Sequence, residues 1–333
     1  MVTRDDVARH AGVSVAVVSY VVNNKNNVKE VTRQKVLKAI QELGYNPNLA
    51  ARNLKTKKAG QLGVLFNSLA NPFETGISLG LEERARQYGY SLIFHTFIDT
   101  EEEKLKTIFM GRTDGILLLG QNLKAETIDY FSRLEIPLYS ITTPVSAHPY
   151  VKYMDIDWYE AMLCLITHLK KLGHRHIGFM TNTSSDHHHQ VRYRFFAEAM
   201  KASGLVFQEK TMLLKAENLE SAYQVMNKKL CANRQLPFSA MICANDLMAI
   251  GLLSACRDFG LSVPEDLSVA GCEDILMASH TTPTLTTVRF PRREIGFKSI
   301  EAIMRHTNSR IQLQNEKIDF ELIIRQSTGK ASK

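Results

Sequence analysis

Residues Thr3 to Tyr20 read TRDDVARHAGVSVAVVSY, and they leave little freedom in what this end of the chain can become. Thr3 can cap a helix start, and Asp6, three residues on, completes a capping-box-like pair. Val7, Ala8 and Ala11 fall on one helical face. Gly12 stands where a turn needs positive φ at no steric cost. Ser14 can cap a second helix that carries Val17, Val18 and Val21 inward. The pattern is a helix-turn-helix, whose second helix lies in the DNA major groove. A helical hairpin that only packs is the plain alternative. The spacing, the turn glycine and the local charge all favour the DNA-binding form.

Charge placement carries that argument further. Residues 1–60 hold 11 Lys/Arg against 4 Asp/Glu, whereas residues 61–333 hold 30 of each. The whole net charge of +7 therefore lies in the N-terminal sixth, as expected of a segment that meets phosphates. After Tyr20, residues 23–27 form a polar loop, and residues 31–43 place Val36, Leu37, Ile40 and Leu43 on one side of a third helix that Gly44 ends. Asn48 to Leu54 has helical character but is too short to hold alone, so it needs DNA or a second copy of itself as partner.

The remaining length allows one or two further domains at ~100–200 residues each. Short apolar runs at 61–66, 90–97, 115–120 and 137–141 read as buried strands, with helices at 73–88, 101–111 and 123–133 between them. Thr100 followed by three glutamates reads as a helix cap plus first-turn acids. A second series follows from Trp158. Helices at 158–172, 190–203, 218–230 and 246–259 alternate with strands at 176–180, 211–215, 239–243 and 267–271. Such alternation implies parallel sheets of right-handed βαβ units. Two series imply two lobes with a cleft, and ligands in such sheets sit at the carboxyl ends of strands. Asn67, Asn71, Phe73, Arg192, Asn245, Asp246, Glu273 and Asp274 occupy such places. Amides, acids and a ring suit a polyhydroxylated ligand. Asp246 also reads as a helix N-cap.

Other chemistries find no support. The five cysteines form no CxxC pair and read as reduced core residues. Asp186 to His189 invites a metal reading, but adjacent residues cannot all face one ion; a solvated loop is expected and no metal. No GxGxxG, Walker-type or HExxH motif occurs, so neither a cofactor nor a catalytic residue is expected. Arg4, Asp5 and Asp6 break any leader-like apolar start, and no apolar run approaches the ~20 residues of a membrane span. A cytoplasmic protein without membrane contact is expected.

The stretches DVARHAGVSVAVVSYVVN and TRQKVLKAIQELGYNPNLAARNLKTKKAGQLGVLF resemble the LacI/GalR family of bacterial transcription regulators. NPF (71–73), GHRHIGF (173–179), CANDLMAIG (243–251), VPEDLSVAGCEDI (263–275) and TTPTLTTVRFP (281–291) extend the resemblance over nearly the whole chain. It implies a small all-α helix-turn-helix head (1–46), a hinge helix and linker (47–59), and a two-lobed α/β body like periplasmic binding proteins (60–333). The lobes are implied at about 60–158 with 290–318, and about 159–289 with 319–333. It further implies a homodimer, joined along helices at 73–88 and 291–305, that binds a pseudo-palindromic DNA operator. A sugar or sugar-like effector in the cleft is implied to control it.

By that resemblance Val15, Ala16 and Tyr20 match base-reading positions, and Thr3, Ser14, Ser19, Asn23 and Thr32 phosphate-contacting ones. Asn48 caps the hinge helix, Ala51 packs against its symmetry mate, and Leu54 wedges into the minor groove. Asn71, Phe73, Arg192, Asn245, Glu273 and Phe290 match effector positions. This chain departs from the family in several places. Tyr20 stands where Arg is usual, Glu273 for Asp, Cys272 for an aromatic, Phe290 for Gln and Phe195 for Gly. Tyr20 lowers the expected demand for guanine and suits a thymine methyl. The other changes point to an effector smaller, less hydroxylated or of another class than a hexose, or to none. A repressor is the expectation. An activator, a solute sensor and a carbohydrate-acting enzyme on the same body are its rivals.

Overall fold

The computed structural model describes residues 2–23, 25–46, 58–142, 148–182, 187–309 and 311–332. The hinge residues Asn48, Ala51 and Leu54 lie outside them, as does Asp186. The chain divides into two compact units, Met1–Ala59 and Gly60–Lys333.

Among its described residues the first unit holds three helices: α1 (Arg4–Ala11), α2 (Val15–Val22) and α3 (Glu30–Leu43). The Thr3 hydroxyl accepts from Asp6 N–H, and the Asp6 carboxylate accepts from Thr3 N–H at 2.9 Å, a complete capping box. Gly12 takes φ 65° and turns its N–H back onto the carbonyls of Ala8 and Arg9. Ser14 accepts from Val17 N–H and starts α2. Val7, Val18 and Val36, all fully buried, form the centre of the core with Ala8, Val21 and Ala39. One reading of this region needs correction. Leu37 is exposed, because Val36 and Ala39 set the inward face of α3. Tyr45, just past the end of α3, is buried and accepts a hydrogen bond from Arg4 Nε at 3.2 Å.

The second unit holds two six-stranded sheets. The first contains β1 (Gln61–Phe66), β2 (Ser91–Thr96), β3 (Ile116–Leu118), β4 (Leu138–Ile141), β5 (Lys152–Ile156) and β11 (Glu316–Ile318), in the order β11-β5-β4-β3-β1-β2. All its pairings are parallel. The second contains β6 (Ile177–Thr181), β7 (Leu213–Lys215), β8 (Ala240–Cys243), β9 (Ser268–Glu273), β10 (Thr286–Arg289) and β12 (Glu321–Ile323), in the order β12-β10-β9-β8-β6-β7. Only β12 runs antiparallel, against β10. The chain thus changes sheet after Ile156, again after Arg289, and again after Ile318.

Helices cover these sheets. α4 (Pro72–Gln87) follows β1, and α12 (Arg292–Ser309) packs along it. A methyl on Gly80 would collide with the Arg293 backbone, and one on Gly296 with the backbone of Ile77 and Leu81, so glycine is what lets the two helices touch. The Arg293–Glu83 pair at 2.6 Å and the Arg84–Glu301 pair flank that seam. α7 (Trp158–Lys171), α8 (His187–Ala202), α10 (Leu219–Ala232) and α11 (Asp246–Asp258) belong to the second sheet's layers.

Some expectations for this unit fail. Thr100 lies inside a short 3-10 turn, Asp99–Glu101, and α5 is only Lys104–Phe109. Glu102 is not a solvated acid there; it is buried and accepts from Lys124 N–H at 2.8 Å. The expected loop at 186–189 is helical from His187. Short β5, β10, β11 and β12 were not legible as strands. All five cysteines are free, and Cys243, Cys256 and Cys272 are buried, whereas Cys231 is exposed.

Candidate functional site

In the head, the surface of α2 away from the core presents Val15, Ala16, Ser19 and Tyr20. No charged residue occurs in this helix. Val15 and Tyr20 are exposed apolar groups on a domain whose core is already filled, so they are available to a partner. Lys25 Nζ lies 5.6 Å from the Tyr20 ring centroid, which puts a cation beside this face. Ser14 and Thr3 lie exposed at helix starts, where backbone N–H groups favour anions, and Thr32 is half-buried in the first turn of α3. Asn23 is partly committed: its amide donates to the Ser19 carbonyl at 2.7 Å.

In the body, polar side chains from both sheets converge on a cavity of about 70 Å³. One wall comes from the segment after β1, the start of α4, and Thr142 after β4. Asn71 caps α4 by accepting from Phe73 N–H at 3.0 Å. Glu74, one turn in, is buried and accepts from Asn67 N–H (2.9 Å), Ser68 N–H (3.2 Å) and Asn67 Nδ2 (2.8 Å). Phe73, Ile77 and Leu119 add apolar surface.

The opposite wall is Arg192, Asn245 and Glu273. Asn245 caps α11, accepting from Met248 N–H at 2.9 Å. The cap is therefore Asn245 and not Asp246, which corrects the reading of Asp246. That carboxylate is fully buried, and accepts from Thr287 Oγ1 at 2.6 Å and Ile275 N–H at 2.8 Å. It holds the turn beyond β9. In that turn Glu273 has φ 122° and Asp274 φ 49°, unusual values for side-chain-bearing residues. Asp274 is clamped by Arg289 and Arg325, both at 2.7 Å. Arg292 ties the lobes together, donating to the carbonyls of Asp274 (3.0 Å) and Pro72 (3.2 Å).

Arg192 is itself buried. It donates to Glu273 Oε1 at 2.9 Å and to the Ala244 carbonyl, and stacks 4.1 Å over the Trp158 ring. Its Nε has no hydrogen-bond partner among the described residues. Burial pushes the Glu273 carboxyl up to about 7, against the pull of Arg192, and pushes Asp246 up to about 6.

Phe290 departs from its expected place. It does not line the cavity; it fills the space behind Phe73 and Trp158, with ring centroids 6.1 and 5.1 Å away. Phe195 and Cys272 also stand off the cavity wall. Glu74 was not singled out from sequence, because an acid in a first helical turn has an ordinary explanation. An open trough of about 860 Å³ runs outside along α4 and α12, past the exposed Leu69, Leu79 and Leu276. It is larger than the cavity, but its apolar, open form suits a protein surface more than a polar ligand.

Among the described residues, no group of three or more His, Cys, Asp or Glu side chains is arranged to hold a metal ion, and no helix is long and apolar enough to cross a membrane.

A helix-turn-helix head and a two-lobed body with a buried polar cavity together define a ligand-responsive DNA-binding protein. Residues 3–48 match the family of bacterial regulatory proteins of the lacI type, and residues 166–328 a periplasmic binding protein-like domain. The chain is 31% identical to the HTH-type transcriptional regulator RegA of Clostridium saccharobutylicum, over 97% of this chain and 98% of that one. It is 32% identical to the HTH-type transcriptional repressor PurR of Haemophilus influenzae, over 98% of each. Among solved structures, the Lac repressor dimer bound to operator and the anti-inducer ONPF aligns with a TM-score of 0.85 at 26% identity, covering 98% of this chain and 99% of that one. The chain belongs to the LacI family. It is a DNA-binding transcription regulator and not an enzyme.

Proposed function

We propose that this protein is a cytoplasmic repressor that binds a pseudo-palindromic operator as a homodimer and is controlled by a small polar, sugar-like molecule in the interlobe cavity. The observation that carries this reading is the convergence of side chains from both sheets on one buried polar cavity, in a chain that also carries a complete helix-turn-helix head. The names of its relatives favour repression over activation. We divide the chain into a DNA-binding domain (1–46), a hinge (47–59) and an effector and dimerisation domain (60–333).

In the head, Val15, Ala16 and Tyr20 read bases, and Ser14, Ser19, Thr3, Thr32 and Asn23 meet phosphates. Asn48, Ala51 and Leu54 form the hinge helix. In the body, Asn71, Phe73, Arg192, Asn245 and Glu273 contact the effector; Phe290 supports Phe73 from behind. The exposed Leu69, Leu79 and Leu276 along the trough give a second copy an apolar surface to cover. A ligand bridging the two lobes favours one lobe angle, and a preference of ~1–3 kcal/mol between angles changes operator affinity 5–150-fold.

The test is recovery and sequencing of genomic fragments bound by the purified protein at near-physiological salt. A short pseudo-palindrome upstream of few genes is the expected result. Binding without sequence preference that vanishes steeply with salt would remove the regulator reading.

A further inference from the structure

The chain crosses between the two sheets three times, and each crossing supplies one aromatic ring. Trp158 follows the crossing after β5, Phe290 lies in the crossing after β10, and Phe320 lies between β11 and β12. Phe290 stands among the others, with ring centroids 5.1 Å from Trp158 and 6.3 Å from Phe320. It also meets Phe73 of the cavity wall at 6.1 Å. The three connections are thereby packed into one pivot, since separating such rings exposes a large apolar area.

Two residues beyond Phe290, Arg292 lines the open trough and spans the seam between the lobes. Its Nη1 donates to the Pro72 carbonyl at 3.2 Å and its Nη2 to the Asp274 carbonyl at 3.0 Å. Pro72 stands between Asn71 and Phe73, and Asp274 follows Glu273; all three of these neighbours line the cavity. One guanidinium therefore grips the backbone of both cavity walls, which its planar fork of donors permits and a single ammonium does not. The second-lobe grip is firm, because Arg289 and Arg325 hold the Asp274 carboxylate at 2.7 Å each. On α4, Gly76 keeps the path of the side chain clear. A methyl there would lie 3.0 Å from Arg292 Cδ and 3.1 Å from Nη1.

We infer that Arg292 is a positioning residue for the ligand response, a clasp that holds the lobes closed about the Phe290 pivot before any ligand binds. A ligand that signals by prising the lobes apart has to break both of its hydrogen bonds, whereas one that fits the closed cavity of about 70 Å³ leaves them intact. The inference rests on the reading of the lobes as the moving parts of that response, but its test needs neither effector nor operator.

The distance between the lobes is measured by electron–electron double resonance on the full-length protein. One nitroxide sits on the exposed Cys231 of α10, and the other on Glu126→Cys, an exposed site on the first-lobe helix Ala125–Arg133, with the half-buried Cys164 replaced by Ser. An excess of unlabelled chain keeps the measured pairs within one copy. The otherwise unaltered protein should give a single distance. Arg292→Met should add a longer distance in about a tenth or more of the molecules, as loss of hydrogen bonds from a charged donor implies. Arg292→Lys should behave like Arg292→Met, since its charge remains but the two-carbonyl span does not. Gly76→Leu pushes the clasp aside without altering Arg292, and leucine is the better helix former, so it decides the matter should Arg292→Met fail to fold. A distance unchanged in variants whose melting curves show a folded chain overturns the inference, as does full restoration of the single distance by Arg292→Lys. Failure to recover an operator would instead sink the regulator reading and leave the clasp standing.

Discussion

The acids of the head and the acids of the cavity are held in opposite ways. Asp6 and Glu42 lie on the surface of the head, and hydrogen bonds hold both below the ordinary carboxylate range. Asp6 takes them from Thr3, and Glu42 from His10 at 2.8 Å. Glu273 and Asp246 lie inside the body, and loss of water holds both above it. A surface acid keeps its hydration, so its partners add a little stability at no great risk. A buried acid gives up hydration and recovers it only in part from a partner. The head therefore uses carboxylates to cap a helix at Asp6 and to join α1 to α3 at Glu42, whereas the body keeps Asp246 as a brace for the turn beyond β9 and Glu273 on the cavity wall.

The largest effect should come from separating the buried pair. At about pH 8, where Glu273 is ionised beside Arg192, Arg192→Met removes its counter-ion and should destabilise the body by about 3–5 kcal/mol in urea unfolding. The double variant Arg192→Met/Glu273→Leu should recover most of that loss, because it removes both desolvated charges. Equal destabilisation in single and double variants would show that Arg192 acts through its packing on Trp158, and the contrast with the head would lose its electrostatic basis.

The two regions should also respond to pH with opposite signs. The folded state holds the Glu273 proton up to about pH 7, while the unfolded chain loses it near 4.5. The unfolded state therefore binds fewer protons between those values, and the body loses stability as pH rises through that window. A shift of this size corresponds to on the order of 3 kcal/mol. Asp246 acts in the same direction over a narrower window, up to about 6. His168 and His174, lowered chiefly by burial, work the other way below about pH 6.5. The clean measurement is therefore the difference between the wild type and Glu273→Gln, which should change across pH 4.5–7 and stay level above it. In the head, the depressed acids contribute stability above their ordinary values, lost as pH falls through the depressed ones.

The regions also differ in how far their sequences disclose them. The head's helix ends follow from Thr3, Gly12, Ser14 and Gly44, each a local signal with a local consequence. Only its inward face was partly misjudged, since Leu37 and Ala39 are both apolar and adjacent turns decide between them. The body's longer strands and helices were legible from alternating apolar runs. Short strands such as β11 and β12 were not, because three residues carry no periodicity and their sheets are set by distant partners. The cavity was legible where a strand end met an unusual polar residue, as at Asn71, Asn245 and Glu273. Glu74 was not, because what distinguishes it is burial; Asp246, placed at a strand end from sequence, stands off the wall and braces the turn beyond β9, and Phe290 was displaced because its ring found Phe73 and Trp158.

A smaller effect concerns the neutral reading face. Tyr20→Arg introduces a fork of donors beside Lys25 and should create a guanine preference at one base pair of each half-site, worth about 1–3 kcal/mol. Tyr20→Phe should change selectivity less, because the ring that can meet a thymine methyl remains. Base-by-base substitution of the recovered operator measures both. A strong guanine requirement opposite the unaltered Tyr20 would contradict the account of this face as one that reads shape and methyl groups.

The smallest effect separates two roles for Thr3. Its hydroxyl donates to Asp6 Oδ2 at 2.6 Å and accepts from Asp6 N–H at 3.3 Å, so it is already engaged within its own helix end. Thr3→Ala removes that cap and should lower the stability of the head by about 1 kcal/mol, while Thr3→Ser restores it. If capping is its whole contribution, operator affinity falls only as far as the folded fraction of the head does, and the salt dependence of binding keeps its slope. A slope that becomes shallower in Thr3→Ala, with the head still folded, would mean that Thr3 orders a phosphate contact as well. The surface acid beside it would then serve DNA binding too, and the contrast between a structural head carboxylate and a ligand-directed cavity carboxylate would have to be redrawn.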